Sequence, residues 1–528
     1  VYLTDLNGAV LYGKASERLG ALELTILGSS KGLFASSADG RFMSLGFFLD
    51  RRTADVPFSL NLIDAAGNLA GAAVSGAMRQ RGFVTGLIAT GNSLQVVVYD
   101  DATLQALEGA TVVIEPGMPK KPPVGRLTKT TDANGSASFS GLTATSYSIT
   151  VVHAGYQLAS LLDTPAGFVS LPVRPIQDAT ARVSGTLDFA ALPNIRARVG
   201  INLLEDASQD HFLETTGTAP RTVPGTAVRP NRPLLVSAFA GAMPPTAKPS
   251  FVLFSNQIGS SSGGSGSNQP PPEALVAKGQ YVLDLPLVSG LTNTGGLLLP
   301  VGLSLATAAG LDTQNLVGGK PVVNMLMSLG GFAGMSLAGT GFASGSGTSW
   351  TVDGSFSLAT IADLAALGPI LWISSQATDS AGNSTRNRAL ITDPLNPIAL
   401  SLAAVAAIPT ISTPATTFSG SPEVTFEDRL DSSLVANTLA LRKIRATDPS
   451  GRSWVLLQTD SDAASKTQKV QFPDLAGLTG LATGAWSIFI EDHLILAPAI
   501  SESEFNFEDV ARYELTFARS KSVTHTVQ

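Results

Sequence analysis

Four times along the chain, a run of alternating or β-branched residues stops at Asp-x-x-Gly and a second such run begins. The turns start at Asp64, Asp132, Asp379 and Asp448. "FSLNLIDAAGNLAGAAV" (58–74), "LWISSQATDSAGNSTRNRALI" (371–391) and "LRKIRATDPSGRSWVLL" (441–457) show the pattern at length. The Asp side chain accepts a hydrogen bond from the backbone two residues on, and the Gly takes the positive φ that closes the hairpin. Period-two flanks around a tight turn dictate paired antiparallel strands.

Composition agrees. Only 14% of residues are charged, against roughly 25% in an average soluble protein, and Gly and Pro number 52 and 31. Amphipathic helices need Glu, Lys and Arg for their exposed faces, and this chain has too few. At 528 residues it is too long for one core, and domains of about 100–150 residues predict four or five units. The division read from the strand runs is 1–92, 93–175, 176–290 with a Gly/Ser/Pro loop at 256–274, 291–400 and 401–528.

The stretch 94–172 carries a more specific pattern. A strand, "LQVVVYD", is followed by Gly109, Ala110 and Val112, then Asp132, Gly135, Phe139 and Leu142, then Tyr147, Ile149 and Val151, and finally Gly155-Tyr156. This order resembles the carboxypeptidase regulatory-like domain, a transthyretin-like β-sandwich that accompanies enzymes, transporters and adhesins. Related pilin repeats form Lys–Asn crosslinks from a first-strand lysine. "LQVVVYD" has none, so no crosslink is expected. Residues 336–393 and 421–528 resemble bacterial immunoglobulin-like modules, with Trp372, Trp454 and Trp486 as expected core aromatics. The fold class that follows is all-β, with tandem immunoglobulin-like and transthyretin-like sandwiches.

Three stretches depart from this rhythm. "TIADLAAL" (360–367) has helical spacing. "GMPKKPPVG" (117–125) reads as an exposed hairpin tip stiffened by prolines, and 256–274 as a flexible tether. Across 290–347 the only charges are Asp312 and Lys320. A small sandwich cannot easily bury so much apolar chain, so either the domain is larger or part of its surface meets another subunit.

Little here looks like catalysis. There are no cysteines, which removes disulfides, thiol nucleophiles and thiolate metal sites. The four histidines (His153, His211, His493 and His525) do not cluster, and His153 is expected on a strand surface. Gly259 to Gly263 fits Gly-x-Ser-x-Gly, but a Ser/Gly tract follows where a helix is needed. No phosphate-binding loop occurs, and no basic stripe supports nucleic-acid binding. Glu423, Glu427 and Asp428 read as charges on a strand edge rather than a catalytic pair.

Calcium is the one ion for which candidates exist: Asp132 and Asn134 in the second turn, and Glu502, Glu504, Glu508 and Asp509 in "ISESEFNFED". A calcium loop needs six to eight oxygens, usually with a bidentate Glu at its far end. Gly135 is followed by Ser-Ala-Ser-Phe, so a plain turn is expected at Asp132. The first residue is Val1, which implies processing or a fragment, and no signal peptide or apolar helix of membrane-spanning length is expected.

These features predict a secreted or cell-surface bacterial structural protein without enzymatic activity or cofactor. Its expected role is a self-associating subunit of a surface layer, sheath or filament, with copies of itself or other surface proteins as partners. The alternatives are an adhesin or polysaccharide-binding accessory protein and, further off, a polysaccharide-active enzyme.

Overall fold

The computed structural model describes side chains at 92–101, 106–176, 311–319, 321, 374–388, 409–411, 423–426, 439–459, 469–475, 482–495, 518, 520–524 and 526, and elsewhere the paths of strands alone. Among the described residues the regular structure is β-strand, save one 3-10 turn at Val317–Gly319. The fold is all-β.

Seven strands build the first sandwich: β1 (Ser93–Asp100), β2 (Thr111–Pro116), β3 (Leu127–Thr130), β4 (Ser136–Ser140), β5 (Tyr147–Val152), β6 (Leu158–Thr164) and β7 (Phe168–Val173). One sheet runs β4-β1-β7 and continues into Val84–Gly86; the other begins β3-β2-β5-β6. β1 and β7 are parallel, and the other pairs within this sandwich are antiparallel. Val96 and Val98 of β1 meet Val112 and Ile114 of β2, Ile149 and Val151 of β5, and Val169 and Leu171 of β7 in one sealed core. Each such side chain contributes on the order of 1.5–3 kcal/mol by leaving water.

The residues singled out in the sequence meet in space. The Thr131 N–H donates to the Ala110 carbonyl, and the Thr131 carbonyl accepts from the Gly109 N–H. The Thr131 hydroxyl accepts from the Ala110 N–H at 2.9 Å and donates to the Leu107 carbonyl. Gly135 has φ +69°, and a Cβ there would collide with the Val98 carbonyl oxygen, so only glycine lets β1 and the turn approach. The Tyr147 hydroxyl accepts from the Thr143 and Ala144 N–H groups and pins the loop leading into β5.

Nine more strands matter here: β8 (Ile370–Thr378), β9 (Ser384–Ile391), β10 (Glu423–Asp428), β11 (Thr438–Thr447), β12 (Ser453–Asp460), β13 (Lys466–Gln471), β14 (Gly484–Leu496), β15 (Glu514–Arg519) and β16 (Val523–Val527). β10 and β13 pair with each other and, with Thr410–Ile411, form a small sheet. Val424 and Phe426 of β10, Val470 of β13 and Phe472 just beyond it pack with Ile444, Trp454, Trp486, Ile488 and Ile490. Trp454 and Trp486 are core aromatics, as expected. Alternation along β10 sends Val424 and Phe426 inward and leaves Glu423 half-exposed beside Lys469 at 3.5 Å.

The sheets do not stop at the sandwich boundaries. From β3 the order is β3-β2-β5-β6-β12-β11-β14-β15-β9-β8, followed by Val322–Ser328 and Met335–Gly341, within a sheet of fourteen strands. Strands of three sequence regions therefore lie edge to edge, each covering the unpaired backbone groups of the next.

Other sequence expectations meet the structure only in part. "GMPKKPPVG" links β2 to β3, and Lys120 and Lys121 are exposed there. His153 lies one residue beyond β5 rather than on it, because the chain turns there into Gly155-Tyr156. Within the expected tether at 256–274, Gln257–Ser260 pairs as a strand with 233–236, and the rest lies outside the described residues. The Trp372 side chain and the expected helix at 360–367 also lie outside them.

Candidate functional site at the seam between sandwiches

β6 runs parallel to β12, with Leu158 opposite Trp454 and Leu162 opposite Gln458. A strand's side chains alternate, so β6 can serve two cores. Leu161 faces the first sandwich. Leu158 and Leu162, with Val152 of β5, pack into the core built by β10 to β14. All six residues of β5 are buried for the same reason, its second face being covered as well as its first.

The hydroxyl and indole groups at the centre of this seam are matched, whereas Gln458 Oε1 is buried without a hydrogen-bond partner among the described residues. Thr150 Oγ1 and Ser160 Oγ share a hydrogen bond of 2.8 Å, and Ser160 Oγ also accepts the indole N–H of Trp454 at 2.9 Å. The Trp454 ring meets Phe472 edge-on, centroids 5.1 Å apart. An unmatched hydroxyl or indole at this depth would cost about 1–3 kcal/mol.

At the mouth of the seam the Asp448 turn grips the first sandwich. Asp448 Oδ1 accepts from the Ser450 and Arg452 N–H groups and the Ser450 hydroxyl, which fixes the turn. Arg452 then donates to the Tyr156 carbonyl at 3.1 Å and the His153 carbonyl at 3.3 Å. Gln157 Oε1 accepts the Ser453 N–H. Burial draws the Arg452 guanidinium below its usual pKa, while nearby Asp448 acts the other way. Tyr156 turns its hydroxyl to Asp100 Oδ2 at 2.6 Å. Its pKa is pushed up to about 12, first by burial and then by Asp100, whose hydrogen bond and negative charge both oppose ionisation.

The three described turns share a backbone and differ in what the second carboxylate oxygen does. Asp132 is exposed; its Oδ1 accepts from the Asn134 and Ser136 N–H groups, both at 2.9 Å. Asp448 is buried, and its Oδ2 reaches the Ala482 N–H at 3.1 Å. Asp379 is buried too, and its Oδ2 accepts from the Asn383 side-chain amide and from the Asp312 N–H, 67 positions away. Asn383 Oδ1 in turn accepts the Lys521 N–H at 2.7 Å, tying this turn to the hairpin before β16. The Asp312 carboxyl lies below its usual pKa, chiefly through the Asn315 side-chain amide.

Asp132 and Asn134 therefore sit in a hydrogen-bonded turn, and no group of three His, Asp or Glu side chains gathers among the described residues. Glu502, Glu504, Glu508 and Asp509 lie outside those residues. Arg452, Gln157 and Ser160 were not singled out from the sequence. The available signal was the absence of any charged residue from "YSITVV" and "LASLL", where a strand with one face in water would carry some.

No protein-family model matches the chain, and no curated protein matches it. Among solved structures it is similar to a tetra-tandem repeat in the extending region of a large adhesion protein, at 13% identity, 83% of this chain, 99% of that chain and a TM-score of 0.14. It is similar also to invasin, a bacterial integrin-binding protein, at 10% identity, 96% of this chain, 79% of that chain and a TM-score of 0.10. TM-scores this low carry no inference about the present chain.

Proposed function

We propose that the chain is a secreted or cell-surface structural protein of the adhesin kind, a set of sandwiches joined into a stiff support for a binding region. The seam between β6 and β12 carries this reading. Strands that share a sheet and a core resist hinging, whereas modules on flexible linkers move freely by default. The light charge and the sandwich architecture support an exposed, load-bearing role. The reading assigns no catalytic activity and no cofactor.

A second reading, a self-associating subunit of a layer, sheath or filament, rests on the apolar stretch 290–347. Light scattering followed by negative-stain imaging, with and without calcium, separates the two. Monomers with a fixed arrangement of sandwiches in both conditions support the stiff adhesin reading. Ordered sheets or fibres replace it with the second, and sandwiches seen at variable angles overturn the stiffness on which it rests.

A further inference from the structure

We propose that β3 is a docking edge for an extended acidic segment of a partner protein, which adds to the sheet as a new strand. The inference is independent of whether the chain is a stalk or a layer subunit.

β3 ends the fourteen-stranded sheet, and all four of its residues are exposed. Thr131 turns its N–H and carbonyl toward β2. Backbone direction alternates in an antiparallel pair, so Leu127 and Lys129 also face β2, and Thr128 and Thr130 present their N–H and carbonyl groups to the open side. The register with β2 places Lys129 opposite Val112, on the core side, where its ammonium reaches the Ser138 carbonyl and lies 5.5 Å from the centroid of the Phe139 ring. Lys129 thus stands between the two sheets at this open flank.

The chemistry around the edge selects the occupant. Between Glu115 and Asp132 the chain carries Lys120, Lys121, Arg126 and Lys129 and no acid, although the whole protein has a net charge of −7. Glu115 is engaged by Arg126 at 3.0 Å, and basic residues outnumber acidic ones along this segment. Val124 and Leu127, 61% and 45% exposed, add apolar surface. A second copy docking here antiparallel would bring Lys129 beside Lys129, and like charges across a strand pair repel. An extended segment alternating acidic and β-branched residues meets the ammonium groups and the apolar pair while its backbone bonds to Thr128 and Thr130. The lysines also guard the edge against unselective pairing.

The test uses the full chain and a fluorescent octapeptide of alternating Val and Glu. Its controls are the same peptide with Lys for Glu, and one of equal charge with Pro at alternate positions. Fluorescence anisotropy measures binding, and hydrogen exchange follows the amides of 127–131. The expected results are binding of the Glu peptide alone and slowed exchange within 127–131. The double variant Lys120→Glu/Lys121→Glu, confined to the exposed tip, should weaken binding by at least about tenfold. Thr128→Pro, which removes an outward N–H, should abolish binding while far-ultraviolet dichroism stays unchanged. If Thr128→Pro perturbs the dichroism, the exchange data on the unaltered chain decide. Equal binding of the Pro peptide, unchanged exchange at 127–131, or no binding at millimolar peptide overturns the proposal. Tight binding of an acidic polysaccharide without slowed exchange at 127–131 overturns it too and assigns the tip to a glycan.

Discussion

The indole N–H of Trp454 donates to Ser160 Oγ at 2.9 Å, joining residues 294 positions apart in the chain. Ser160 belongs to β6 and Trp454 to β12, so this bond and the parallel pairing around it unite two sandwiches. The first prediction concerns that union. Trp454→Ala should cost about 3–5 kcal/mol, the range for losing a large buried aromatic. Hydrogen exchange should quicken in both 158–162 and 439–459. Loss confined to the second stretch would mean that the sandwiches are stable independently.

Arg442 and Asp492, on adjacent strands β11 and β14, form a buried ion pair at 3.2 Å, with the Arg442 guanidinium 5.5 Å from the centroid of the Phe426 ring. Removing one partner leaves a buried charge, so Asp492→Leu or Arg442→Met should each cost roughly 3–5 kcal/mol. The double change Arg442→Met/Asp492→Leu should recover most of that. Denaturant midpoints measure it, and additive losses in the double variant would refute the pairing as the cause.

Two glycines of the same motif should respond unequally to Ala. Gly451 has φ +85° and open space where a methyl would stand, so Gly451→Ala should cost only the left-handed backbone penalty, about 1–2 kcal/mol. At Gly135 the new methyl also collides with the Val98 carbonyl oxygen, and Gly135→Ala should destabilise the first sandwich more. Equal shifts in thermal midpoint would show that the contact relaxes freely.

The turn aspartates should divide the same way. Asp448 is buried and ties Ala482 through its second oxygen, whereas Asp132 is exposed and holds only its own turn. Hydrogen bonds to a charged group contribute about 1.5–3 kcal/mol, so Asp448→Ala should exceed Asp132→Ala in cost. Calorimetry with calcium should be unchanged by Asp132→Asn; a lost binding signal would restore Asp132 as a ligand.

Tyr156 supplies a pH prediction. Its phenol pKa rises from 10.0 to about 12 in the folded state, so the neutral form is the one the fold favours. The stabilisation is complete below pH 10 and is lost as pH climbs through 10 toward about 12. Phenolate absorbance of the protein minus that of Tyr156→Phe should show one group titrating near 12. Titration near 10.0 would place the hydroxyl in water.

Much of this was legible in the residues. Asp132 followed by Gly135 and a run without acids specified a turn, because the carboxylate's nearest donors are its own backbone amides. Alternation in β10 and the tryptophans in β12 and β14 specified which side chains enter a core. Tertiary structure decided what lay against the second face of β5 and β6, and which edges met. Period-two patterning reports that a face is buried, not what buries it. Edge pairing uses backbone N–H and carbonyl groups that every residue but proline carries, so the joining of β6 to β12 left no mark in the sequence beyond second faces on β5 and β6 that carry no charged residue.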